Sequence, residues 1–136
     1  MSKTTRENAI LPFSPDADLS GKEGYFVSIQ TAGNVGAVEL FSVASSLPPF
    51  GVVVYGSGPG GAASVAIAAG GLAGTVKLKL SGPVIAGQDL QLDDGGTVSG
   101  DSKSGNRTIV AQALEAGVAE ELIEGVLFRP EPITVA

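Results

Sequence analysis

Glycine and proline interrupt this chain so often that the sequence predicts short elements joined by turns. Between Leu40 and Val76 eight glycines and three prolines fall in a stretch that carries no charged residue. Inside a helix each glycine costs about 1 kcal/mol and each proline about 3 kcal/mol relative to alanine. The same residues are what tight turns require, so the pattern predicts short strands joined by turns. The apolar residues between the breaks are mostly Val, Ile, Leu and Ala, which suit such strands.

The strands are legible from period two. Tyr25, Val27 and Ile29 alternate with Phe26, Ser28 and Gln30, and Thr31–Asn34 supplies a turn. Val35–Ala44 reads as a second strand region, stopped by Ser45, Ser46, Pro48 and Pro49. Phe50–Tyr55 is a short apolar run, and Ala62–Ala69 centres a strand on Val65 and Ile67 before Gly70 and Gly71. Thr75–Leu80 sets Val76, Leu78 and Leu80 on one face and Thr75, Lys77 and Lys79 on the other. Leu90 and Leu92 lead into Asp93-Asp94-Gly95-Gly96, and Asp-Gly between alternating segments is a strong hairpin signal. Thr108–Glu115 has the residues of a helix as well as a strand opening with Ile109 and Val110. Glu121–Arg129 alternates again and is expected to stop at Pro130 and Pro132. Seven or eight short, mostly antiparallel strands indicate an all-β fold, a small β-sandwich or barrel-like domain.

Residues 1–18 are polar and interrupted by Pro12 and Pro15, with one aperiodic apolar patch at Ile10, Leu11 and Phe13. This segment reads as an extended N-terminal arm preceding a single β-rich domain over residues 19–136. It has no apolar run of secretory length. The uncharged stretch after Leu40 is too broken by glycine and proline, and too rich in Ala and Val, to read as a transmembrane helix.

Charge and residue type narrow the function. The net charge is −6, with only eight scattered basic residues, against the clustered cations that bind phosphate backbones. Histidine and cysteine are absent, which removes the usual general base and the commonest soft-metal ligands. Gly56, Gly58 and Gly61 satisfy a dinucleotide-loop spacing, but Gly70, Gly71 and Gly74 would break the helix that loop requires. Gly100-Asp101-Ser102 with Lys103 suggests a hydrolase opening, yet no histidine exists to activate the serine, and a solvated turn is the better reading. Asp93, Asp94 and Asp101 match no EF-hand spacing and read as turn residues. Glu115, Glu120, Glu121 and Glu124 concentrate negative charge near the last strand. No catalytic, cofactor-binding or metal-binding residue is expected, and no enzyme activity.

Three blocks together resemble the phage capsid cement, or head decoration, family of small Gly- and Ala-rich proteins. They are Ala17–Ile29 (ADLSGKEGYFVSI), Phe50–Asp94 (FGVVV, a Gly/Pro-rich link, then ASVAIAAGGLAGTVKLKLSGPVIAGQDLQLDD), and Thr108–Phe128 (TIVAQALEAGVAEELIEGVLF). The chain departs from the pattern at Gln88, where Gly-Asp usually follows directly, at Ala111 and Gln112, and in its longer N-terminal lead. The resemblance implies that Thr108–Ala116 is a strand. It also implies a structural virion protein, made in the host cytoplasm and placed on the outer capsid surface. There it would cement neighbouring major capsid protein subunits and stabilise the expanded shell. The implied partners are the major capsid protein and further copies of the chain, as a homotrimer, with no nucleic acid and no membrane. Ile10, Leu11 and Phe13 are then the candidate capsid-binding residues. The alternative expectation is a virion-surface module that binds carbohydrate or a host surface.

Overall fold

A computed structural model describes residues 10–68 and 75–135. Ten strands run in chain order, with a single 3-10 turn at Val43–Ser45: β1 (Ile10–Phe13), β2 (Phe26–Ile29), β3 (Val38–Leu40), β4 (Gly51–Tyr55), β5 (Ala63–Ile67), β6 (Val76–Lys79), β7 (Asp89–Leu92), β8 (Val98–Gly100), β9 (Arg107–Ala113) and β10 (Leu122–Ile133). They form two five-stranded antiparallel sheets, ordered β1-β5-β4-β2-β3 and β6-β10-β9-β7-β8. The all-β, barrel-like expectation holds, and the strand expected over Thr108–Ala116 is present as Arg107–Ala113, ending three residues earlier. No helix among the described residues is long and apolar enough to cross a membrane.

The two sheets are the same structure twice. Each curls until its first strand runs on to meet its third. In the first, Pro15 bridges Val38 in parallel, the Asp16 N–H donates to the Val38 carbonyl (2.8 Å) and the Val38 N–H to that of Ser14 (2.9 Å). In the second, Leu80 bridges Val98 in parallel and the Ser81 N–H donates to the Val98 carbonyl (2.9 Å). Strand registers superpose: Phe13 opposes Ala63 as Leu78 opposes Ile123, and Val52 opposes Ala66 as Gln112 opposes Val126. Loop hydrogen bonds repeat as well. Gly24 N–H to Val53 O (2.9 Å) corresponds to Gly87 N–H to Ala113 O (2.7 Å). Leu19 N–H to Ser57 O corresponds to Val84 N–H to Gly117 O, both 2.9 Å, and Gly61 N–H to Gly58 O corresponds to Glu121 N–H to Val118 O, both 3.2 Å.

Each unit has its own interior. Leu19, Val27, Val38, Val53, Ala63 and Val65 fill the first, with Phe13 and Phe50 against them. The counterparts Val84, Leu90, Val98, Ala113 and Ile123 fill the second, with Leu78 in the place of Phe13 and Gly125 in that of Val65. Phe26, Val52 and Ala66, on the outer face of the first sheet, join that second cluster and bind the units together. Backbone bonds reinforce the junction, from Phe26 N–H to Gly96 O (2.8 Å) and from Lys79 N–H to Gly24 O (3.0 Å). The corresponding face of the second unit carries Asp89, Gln112 and Val126, which are exposed or half-buried. The packing is therefore head to tail, and an outer face with Asp89 and Gln112 in place of Phe26 and Val52 ends the array after two units, as in capped repeat proteins.

Two expectations change, and part of a third lies outside the described residues. Residues 1–9 of the expected arm lie outside the described residues, as do Gly70, Gly71 and Gly74. Ile10–Phe13 is a strand in register with β5 rather than part of an arm, so Asp18 lies between two strands of one unit. Pro130 and Pro132 do not stop β10, which continues to Ile133. β6 pairs with β10 only over Leu122–Gly125, so the later residues keep one edge unpaired by β6. Proline is tolerated in a strand where its nitrogen faces such an edge, and there it blocks further pairing.

Candidate functional site

The expected anchors Ile10, Leu11 and Phe13 are half-buried. Ile10 packs against the junction cluster, and Phe13 belongs to the first interior, its ring meeting Phe50 edge-on at 5.1 Å between centroids. Leu11 shares the face of Phe13 because both oppose inward residues of β5, Val65 and Ala63. Ile10 and Phe13 are thus packed within the fold, and Leu11 is half-buried on the face of Phe13.

A cleft of about 520 Å³ lies where the two units meet. The chain leaving β3 forms one wall with Phe41, Leu47 and Pro48, and the end of β10 forms the other with Pro130, Pro132 and Ile133. Prolines at these positions cost little entropy to order and offer rigid apolar surface. Among the described lining residues Arg107 carries the only charge, and no carboxylate is present. Arg107 is already committed: its guanidinium donates to Asp101 and to the Gly105 carbonyl. The walls can hold an apolar surface, but they offer no acid–base pair within reach of a substrate.

Other sequence candidates take structural roles. The Gly56–Gly61 loop joins β4 to β5. A side chain at Gly56 would place its Cβ 2.0 Å from the Leu19 carbonyl, and the Gly56 N–H donates to Glu23. That glycine permits a close backbone approach inside the first unit. The Asp93–Gly96 segment is the expected hairpin turn between β7 and β8, but its aspartates are not merely solvated. Asp93 accepts from the Ser81 hydroxyl, and Asp94 accepts the Val43 N–H across the junction (2.9 Å). No group of three or more potential metal ligands occurs among the described residues.

Asp101 corrects the solvated-turn expectation. Its side chain is 11% exposed and that of its partner Arg107 12%, a pair the sequence reading missed although the two residues flank one polar loop. The hydrogen bond from Arg107, then that from the Lys103 N–H, holds the Asp101 carboxyl below its ordinary 3.8. A depressed carboxyl stabilises the fold above its unfolded pKa, and that contribution is lost as pH falls through the folded value. Asp101→Asn is expected to cost about 1 kcal/mol at pH 7. In urea titrations its deficit against the wild type should shrink steadily below about pH 4; a deficit independent of pH would show that the ion pair is not its source.

Compared with known proteins, the chain matches no family model and no curated protein.

Proposed function

We propose that this chain is a structural virion protein that binds the outer surface of a phage capsid and cements neighbouring major capsid protein subunits in the expanded shell. The observation that supports this reading is where the three blocks of resemblance fall on the duplicated fold. Ala17–Ile29 spans the turn and β2 of the first unit, and its structural counterpart Gly82–Leu92 lies within the second block. Thr108–Phe128 covers β9 and most of β10, the counterparts of β4 and β5. The resemblance therefore follows the repeated framework rather than a single loop.

The physical logic agrees. Both interiors are filled with aliphatic side chains, and the cleft presents apolar walls without acid–base groups. Such a molecule offers surfaces. A protein that prefers the assembled, expanded shell stabilises it by linkage, and many equivalent weak contacts add through avidity. Clustering as trimers on local symmetry axes would supply that multivalency.

Co-sedimentation with expanded and unexpanded tailed-phage shells lacking the protein tests the reading. Saturable binding at a symmetry-compatible copy number, stronger on expanded shells, is expected. Tyr55, an aromatic ring 72% exposed, favours the alternative of a carbohydrate-binding module. Failure to bind either shell, with retention on a glycan array lost in Tyr55→Ala, would replace cementing by that alternative.

A further inference from the structure

The duplication supplies an internal control for surface residues. Where two units share backbone and hydrogen bonds, a side chain present at one position and absent from its counterpart is not demanded by the fold. One exposed site differs strongly by this measure. Val84 and Gly117 form an antiparallel bridge, with Val84 N–H to Gly117 O at 2.9 Å and the reverse bond at 3.1 Å. Val84 points inward and is 4% exposed. Side chains alternate across a bridge, so Ile85, opposite Ala116, and Val118, opposite Pro83, share the outward face. Ile85 is 69% exposed and Val118 58%, and Pro83 and Ala116 are exposed beside them.

The first unit makes the corresponding contact through Leu19 and Ser57. There Ser20 stands in place of Ile85, Gly58 in place of Val118, Asp18 in place of Pro83 and Gly56 in place of Ala116. Exposed branched aliphatics are a cost to solubility that this loop geometry does not need, and clustered apolar surface rimmed by polar groups marks interaction sites. The rim is acidic. Glu115, Glu120 and Glu121 surround the patch in sequence and are exposed, where the first unit has Tyr55, Gly60 and Gly61.

We propose that this face of the second unit, centred on Ile85 and Val118, docks a protein partner that sets an apolar side chain among lysines or arginines. Charge complementarity selects that partner over a second copy. The chain carries a net −6. Of the six described basic residues, Lys77, Lys79 and Arg107 are paired with Glu124, Glu120 and Asp101 and Lys22 lies over the Tyr25 ring, which leaves Lys103 and Arg129 against the excess of carboxylates. Two like-charged copies would repel, whereas a basic rim would meet Glu115 and Glu121 beside the Glu120–Lys79 pair. Identifying the partner with the major capsid protein, and that step alone, rests on the cementing function proposed above.

The test exchanges the two units' residues. Ile85→Ser with Val118→Gly places the first unit's side chains on a backbone already shown to hold them, so the variant folds and keeps its melting temperature within a few degrees. Two binding probes are used with the full chain: expanded phage shells, and a synthetic peptide of alternating lysine and leucine followed by methyl NMR. Docking predicts a loss of roughly tenfold or more in shell affinity, peptide-induced shifts confined to Ile85, Val118 and Ala116, and weakening of both with salt. Wild-type binding to shells that the exchange leaves unchanged would overturn the docking face while leaving the cementing function intact. No wild-type binding to shells, with localised peptide shifts, would remove the capsid identification and keep the basic partner. Absent or dispersed peptide shifts together with no shell effect would overturn the proposal. So would a wild-type chain that self-associates in sedimentation and becomes monomeric on exchange, since the face would then meet a second copy.

Discussion

Phe26→Ala is expected to lower the unfolding free energy by about 3–5 kcal/mol, the range for emptying a buried phenylalanine site. The whole stability of a domain is about 5–15 kcal/mol, so this one substitution threatens the fold. Phe26 is 0% exposed, and it does more than fill the space between units. Its N–H donates to Gly96 and its carbonyl accepts from Phe41, which tie β2 to both the β7–β8 turn and the chain leaving β3. The control is Asp89, which occupies the same register position in the second unit: the Asp101 N–H donates to its carbonyl at 2.9 Å, as the Phe41 N–H does to that of Phe26 at 3.0 Å. Asp89 is exposed, and Asp89→Ala should change stability by no more than about 0.5 kcal/mol. Urea unfolding followed by far-UV circular dichroism measures both. Equal costs at the two positions would mean that the outer face of the first sheet does not carry the junction.

That contrast also explains what the sequence disclosed. Period two located most strands, because Val76, Leu78 and Leu80 alternate with solvated residues and the Asp94-Gly95 turn has its own chemistry. The same rule obscured the duplication. β2 is buried on both faces, Val27 in its own interior and Phe26 in the junction, whereas β7 buries Leu90 and Leu92 but exposes Asp89. Two strands with one backbone role thus carry different hydrophobic patterns. What the units share is sparse: glycines at Gly24 and Gly87, the bridging valines Val38 and Val98, and aliphatic residues facing each interior. Even a left-handed position changes residue, since Gly60 (φ 93°) corresponds to Glu120 (φ 75°). Ile10, Leu11 and Phe13 looked aperiodic because Pro12 separates them, and only pairing with β5 gives them faces. The patch at Ile85 and Val118 could not be recognised before the bridge placed its residues together.

Gly24 and Gly87 allow the junction to be probed by backbone alone. Both adopt a left-handed conformation, at φ 87° and 85°, where an alanine costs about 1–2 kcal/mol through its Cβ. Their surroundings differ. A Cβ at Gly87 would meet nothing within 4 Å, whereas one at Gly24 would come 2.9 Å from the Lys79 nitrogen and 2.6 Å from a methyl of Leu122. Leu122 is 44% exposed and can swing aside. The Lys79 nitrogen cannot, because it belongs to β6 and donates to the Gly24 carbonyl. Gly24→Ala should therefore add an overpacking cost of about 1–3 kcal/mol to the conformational one, and Gly87→Ala should show the conformational cost alone. Hydrogen exchange locates the difference: the Lys79 amide should exchange faster in Gly24→Ala and at its wild-type rate, once corrected for global stability, in Gly87→Ala. If both variants lose the same stability and leave Lys79 equally protected, then contact between the units is loose enough to absorb a methyl group, and the head-to-tail packing would depend on side chains such as Phe26 rather than on backbone fit.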